Sequence, residues 1–159
     1  METELEKEVD KEKQKLKENA TIYDLLKLEH KDVKKLFKQI VENESYQDNV
    51  YSQIKKALTL HMEGEEKLLY PRLENDEETR SSILEAYEEH DVAKKVMNDI
   101  EDSSDNDARV AKVKVLSDVV DHHVEEEEGE LFKKARKILS TDDEREIARK
   151  FMDEKMAKM

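Results

Sequence analysis

Two glycines and one proline are all the chain-breakers found in 159 residues. Hairpins and sandwiches need turn glycines, and α/β folds need loops between strand and helix. So few breakers among so many Glu, Lys and Leu predict an all-helical chain. Charged residues make up 45% and hydrophobic residues 36%. The core is therefore expected to be thin, with each apolar residue on a helix face that meets another helix. A net charge of −13 argues against nucleic-acid binding, which runs on Lys and Arg neutralising phosphate. No apolar run approaches the roughly 18–20 residues that span a bilayer. The first twenty residues are charged throughout, unlike a secretory signal. Zero Cys excludes disulfides, thiolate zinc sites, iron–sulfur clusters and thiol catalysis. The expected setting is the cytoplasm, and the expected state a monomer or weak homodimer with no membrane partner.

Three segments are expected: a charged N-terminal arm over 1–19, a four-helix bundle over 20–139, and a C-terminal capping helix over 140–159. The arm reads equally well as a solvated helix or a disordered tail. Thr21 and Asp24 look like a capping box opening the first core helix, which carries Ile22, Leu25, Leu26, Val33, Leu36, Phe37 and Ile40. A turn cluster at 42–49 precedes a second helix running from Asp48 through Leu69, ended or kinked by Pro71. A turn at 74–78 leads to a third helix with Ile83, Leu84, Tyr87, Val96, Met97 and Ile100. The loop 102–107 leads to a fourth with Val113, Leu116, Val120, Val124 and Leu131. Thr141 and Glu144 suggest a second capping box, opening a short last helix with Ile147 and Phe151. Short loops force antiparallel neighbours, which predicts an up-down-up-down bundle.

The two halves repeat. Residues 28–37 align with 88–97 at an offset of 60, matching Glu29–His30 with Glu89–His90. Residues 61–70 align with 123–132 at an offset of 62, matching His61, Glu65, Leu69 and Tyr70 with His123, Glu127, Leu131 and Phe132. Each half is a helical hairpin, and two similar hairpins make a pseudo-twofold bundle.

There are five histidines. His30, His61, His90 and His123 are separated by 31, 29 and 33 residues, and the midpoints fall in the three turns. Residues equidistant from a turn lie at the same height in an antiparallel bundle, so four His from four helices share one level. His30 continues the stripe Tyr23, Leu26, Val33, Phe37. His61 continues Ile54, Leu58, Glu65, Leu68. His90 continues Ile83, Tyr87, Met97, and His123 continues Leu116, Val120, Glu127, Leu131. All four are expected to point inward.

Glu65 and Glu127 each follow a His by one helical turn on the same side. Two buried carboxylates among neutral imidazoles carry a large desolvation cost, which a cation removes. Four His and two Glu converging in a bundle core suit a dinuclear site with bridging carboxylates. Imidazole and carboxylate without sulfur favour iron, then manganese or zinc. Haem held by paired His leaves both inward Glu unexplained. Glu63, Glu66, Glu125 and Glu128 read as solvated face. His122 and Glu126 form a competing pair, but the repeat sends His123 to His61 and His122 to Leu60, beside the central stripe. His122 is then an additional ligand, a residue supporting one, or a partly exposed side chain.

This pattern resembles the hemerythrin-like family, the HHE cation-binding domain. It comprises His30, then His61 through Glu65–Glu66 with Leu69–Tyr70–Pro71, then His90, then His123 through Glu127–Glu128 with Leu131–Phe132, and covers about 20–139. The resemblance implies a non-haem di-iron centre in a four-helix bundle, with His as terminal ligands and the two carboxylates bridging. The oxygen-carrying members have a second His one turn after the third-helix His, where this chain has Lys94. They take the last carboxylate five residues after the fourth-helix His, whereas here both Glu127 and Glu128 are on offer. Tyr23, Tyr87, His122 and a water are the candidates for the remaining position.

The leading expectation is a di-iron protein that binds, senses or detoxifies O2, peroxide or nitric oxide. The alternatives are an iron-responsive or iron-delivery module without redox turnover, and a structural bundle without metal.

Overall fold

The structure, a computed structural model, describes residues 19–158 and, ahead of them, Thr3, Glu4 and Lys7. The rest of the N-terminal arm lies outside the described residues. Six α-helices follow: α1 (Ile22–Val41), α2 (Asp48–Gly64), α3 (Arg80–Asp102), α4 (Asn106–Glu126), α5 (Phe132–Ile138) and α6 (Thr141–Ala157). No strand occurs among the described residues. None of these helices is long and apolar enough to cross a membrane.

Helix α1 packs on α2, α3 on α4, and α1 on α4, closing an up-down-up-down bundle; α6 lies across α1 and α2. The expected caps hold at one end and shift at the other. Thr21 Oγ1 accepts the Asp24 amide hydrogen at 3.4 Å while the Thr21 amide donates to Asp24 Oδ2 at 3.1 Å, an arrangement that contributes about 1 kcal/mol. The last helix is capped by Ser140 with Asp143, not by Thr141 with Glu144. Glu144, the expected capping partner, is instead buried. That helix has 17 residues.

The regular α-period fails at two matched places. Glu65–Leu69 and Glu127–Leu131 are π-helical turns, in which the Tyr70 and Phe132 amides donate five residues back to Glu65 and Glu127. Each turn holds one residue more than an α-turn, so the faces that follow rotate. Leu69 and Tyr70 are fully buried where an unbroken helix would have turned Leu68 inward. Leu68 is only partly buried. Leu84, expected in the core, is exposed. Pro71 sits in a single 3-10 turn, Tyr70–Arg72, which ends the second rod.

The apolar core falls into two clusters. One joins Tyr23, Leu26, Leu69, Tyr70 and Phe132 to Ile147, Ala148 and Phe151 of α6. The other joins Val33, Phe37, Ile54, Leu58, Met97, Val113 and Leu116. His30 lies between Leu26 of the first and Val33 of the second, so the histidine level divides the two.

Candidate metal centre

His30, His61, His90 and His123 are all buried, and Glu65 and Glu127 are almost fully enclosed. The bundle brings these six residues together in two groups. Donor atoms of His30, His61, Glu65 and Glu127 lie within 4.8 Å of one another, as do those of Glu65, His90 and His123. Glu65 belongs to both: its Oε1 is 3.2 Å from His61 Nε2 and 3.1 Å from His90 Nε2. Glu127 also reaches both sides, with Oε1 3.4 Å from His30 Nε2 and Oε2 3.1 Å from His123 Nε2.

Every imidazole is held from outside by a second carboxylate. His61 Nδ1 donates to Glu29 Oε1 at 2.7 Å and His123 Nδ1 to Glu89 Oε1 at 2.8 Å. His30 Nδ1 donates to Glu128 Oε2 at 3.0 Å and His90 Nδ1 to Glu66 Oε2 at 3.1 Å. The four bonds obey the pseudo-twofold: Glu29 and Glu89 precede His30 and His90, and Glu66 and Glu128 follow the inward glutamates. A carboxylate only accepts, so each ring carries a hydrogen on Nδ1 and turns Nε2 to the centre. Of the glutamates expected to be solvated, Glu128 is exposed and Glu66 half-buried, and each uses an oxygen to orient a ring. Lys94 lies 3.7 Å from Glu66 at the outer edge. Glu29 and Glu89 were not singled out from the sequence; the repeated Glu–His pair was the signal.

The electrostatics follow from this packing. Burial alone would lower the His61 imidazole, but the Glu65 carboxylate and the bond to Glu29 raise it to about 10. Burial would likewise lower the His123 imidazole, but Glu127, Glu65 and Glu89 raise it well above its usual value. Burial would raise Glu65, but the His61 charge and its hydrogen-bond neighbours hold it well below the usual carboxylate range. A field that retains protons on imidazole also attracts metal cations.

Tyr70 completes the centre. Its hydroxyl donates to Glu127 Oε2 and lies 3.4 Å from His90 Nε2 and 3.3 Å from His123 Nε2. Burial, then the charges of Glu127 and Glu65, push its phenol well above the ordinary value, so it stays a donor. Under the repeat its mate is Phe132, a difference visible in the sequence. The other candidates make their own contacts. Tyr23 lies against Phe132 with ring centroids 5.0 Å apart, and burial, then the neighbouring Glu144 carboxylate, raise its phenol. Tyr87 donates to Glu74 at 3.2 Å. The His122 side chain is 64% exposed and pairs with Glu126 at 3.0 Å.

The donor set fits metal cations. It offers imidazole nitrogen and carboxylate oxygen with no sulfur. His30 and His61 bring two Nε2 atoms within 3.2 Å, and Glu65 Oε2 and Glu127 Oε1 are buried with no hydrogen bond. On the histidine side lies an apolar cavity of about 30 Å³, lined by the four imidazoles and by Val33, Leu58, Met62, Ala93 and Val120.

The chain is similar to a DNA nickase of Nostoc sp. (strain PCC 7120 / SAG 25.82 / UTEX 2576), with 30% identity over 138 residues. That match covers 85% of this chain and 39% of the relative, so the chain spans about two fifths of the protein it resembles. No solved structure gives a significant match. The family model described as the hemerythrin HHE cation binding domain matches residues 21–135. With that match over most of the bundle and paired His/Glu clusters at its centre, the chain belongs to the hemerythrin HHE cation-binding family.

Proposed function

We propose that the chain holds two iron ions through His30, His61, Glu65, His90, His123 and Glu127, and uses them to bind or turn over O2, peroxide or nitric oxide. The observation that carries this reading is the apolar cavity lined in part by the four imidazoles. Its volume of about 30 Å³ exceeds the roughly 10–15 Å³ that one water needs, and is far below the roughly 300–1,000 Å³ of organic-ligand sites. It suits a molecule of two heavy atoms.

A bound iron pair would supply Lewis acidity and electrons. The chain's own residues set the surroundings. Glu65 and Glu127, each reaching both groups, are the bridging candidates. Glu29, Glu66, Glu89 and Glu128 fix ring orientation through Nδ1. Tyr70 holds the Glu127 carboxylate with its hydroxyl hydrogen and sets its hydroxyl oxygen beside His90 and His123. Val33, Leu58, Met62 and Ala93 exclude water from the cavity.

The nicking named for the Nostoc relative is not carried over. A chain of net charge −13 repels phosphate backbone, and the shared region is a minor part of that protein.

The test is metal content per chain after anaerobic purification, then optical spectra on adding O2, hydrogen peroxide or nitric oxide. Two irons with new charge-transfer bands are expected. Iron that is bound but released readily, with no response to any of the three, supports the iron-delivery alternative. No stoichiometric metal overturns both.

A further inference from the structure

The pseudo-twofold that governs the buried centre fails outside it. Glu29 and Glu89 each give Oε1 to a buried imidazole. The second oxygen of Glu29 accepts from Lys155 Nζ of α6 at 2.6 Å. Beside it, Phe151 sits so close to Gly64 that a Cβ there would collide with the ring. Only about 10 Å³ of space is left between Leu60, Gly64, Phe151 and Lys155. On the matching face no helix lies across among the described residues. There His122 replaces Leu60, Glu126 replaces Gly64, and the second oxygen of Glu89 faces His122 Nε2 at 3.7 Å.

That face is a groove of about 470 Å³. Its walls carry five glutamates, Glu85, Glu89, Glu125, Glu126 and Glu130, against one lysine, Lys134. Buried His123 and Glu127 also line it, with Glu127 Oε2 3.1 Å from His123 Nε2. One ligand atom each from Glu89, His122 and Glu126 lies within 4.8 Å of the others. The groove thus joins an imidazole–carboxylate cluster open to water with the buried His90/His123 group, and Glu89 touches both.

We propose that Glu89, His122 and Glu126 form a third, solvent-facing site for a divalent transition-metal ion, and that ions destined for the buried centre are captured there first. The capture site stands on the groove alone; its role as an inlet rests on the di-metal reading above. Two carboxylates and an imidazole give a charge-matched set for a hydrated ion that keeps waters in its remaining positions. The surrounding glutamates raise the local cation concentration and the on-rate. α6 covers the face beside Glu29, where Lys155 takes the second oxygen of that residue.

The test uses the full chain and two variants, His122→Ala and Glu126→Gln, both outside the buried cluster. Zn2+ is added to protein whose buried sites were loaded first, and the His122 ring signals are followed by NMR. They should shift in the wild type and stay unmoved in Glu126→Gln. Stopped-flow uptake of Fe2+ at low ion concentration should be about tenfold slower in both variants, with the same final stoichiometry. Unmoved His122 signals in the wild type overturn the site. Shifting signals with unchanged uptake rates keep the site and overturn the inlet. If the buried cluster takes no metal in any form, the di-metal reading falls, while the His122 shift still decides the surface site.

Discussion

Tyr70 donates its hydroxyl hydrogen to Glu127 across 57 positions of sequence, joining the end of the second rod to the end of the fourth. The bond is buried and its acceptor is a carboxylate. Hydrogen bonds of that kind contribute roughly 1.5–3 kcal/mol. Tyr70→Phe should therefore lower the free energy of unfolding of the metal-free protein by about 2 kcal/mol, measured in urea. A loss under about 0.5 kcal/mol would show that Glu127 is held by its histidines alone.

Glu65 and Glu127 each face both groups of imidazoles. Glu65→Ala or Glu127→Ala should cut bound iron to one per chain or none, measured by elemental analysis. Glu126→Ala, altered one residue away on the groove wall, should keep two. Two irons in both of the first variants would show that the bridges lie elsewhere.

The outer carboxylates should matter although they are partly solvated. Glu128 orients His30, whereas Glu63 is exposed and pairs with Lys158 at the surface. Loss of a carboxylate that holds a ligating imidazole typically costs about 10–100-fold in metal affinity. In a chelator competition, Glu128→Ala should show a loss of that size and Glu63→Ala none.

How much of this was legible in the sequence depends on where the α-period holds. The scarcity of Gly and Pro, the Thr21 cap and the equal spacing of His30, His61, His90 and His123 all read through straight helices, and the bundle and its inward histidines followed. Tyr70 did not follow. The π-turn over Glu65–Leu69 rotates everything after it, so the 3.6-residue count turned Leu68 inward instead of Tyr70. Glu66 and Glu128 were missed for a different reason. A side chain can be half in water and still spend one oxygen on a buried ring, and periodicity registers only the first fact. Ser140 and Thr141 are both capping types in adjacent positions, and the sequence alone does not say which of them bonds three residues on.

Away from the centre, Glu101 ties α2 to α3. Lys55 and Tyr51 both donate to it, Tyr51 at 2.9 Å. The Lys55 bond is the largest cause; with the Tyr51 bond and the Lys55 charge it outweighs burial and holds the carboxyl below the usual range. A carboxyl lowered on folding stabilises in full above its unfolded value of about 4.3. That contribution is lost as pH falls through the lower folded value. The pair is partly exposed, so the effect should be about 0.2–1 kcal/mol. Glu101→Gln should lower stability by that amount at pH 7, and the gap to wild type should close below about pH 4. A gap that persists at low pH would assign the effect to packing rather than charge.

The two glycines make opposite demands, although Gly129 lies in the second π-turn and Gly64 at the edge of the first. A Cβ on Gly64 would meet the Phe151 ring, while a Cβ on Gly129 would meet nothing within 4 Å. Phe151 is buried in the cluster that anchors α6, so it has little room to withdraw. Overpacking at such a contact costs about 1–3 kcal/mol. Gly64→Ala should lose stability on that scale and loosen α6, read as faster amide exchange over residues 147–155. Gly129→Ala should gain up to about 1 kcal/mol, because alanine loses less backbone freedom than glycine when a helix forms. Equal effects at the two positions would mean that Phe151 does not seat α6 on the bundle, and that the face beside Glu29 opens as freely as the face beside Glu89.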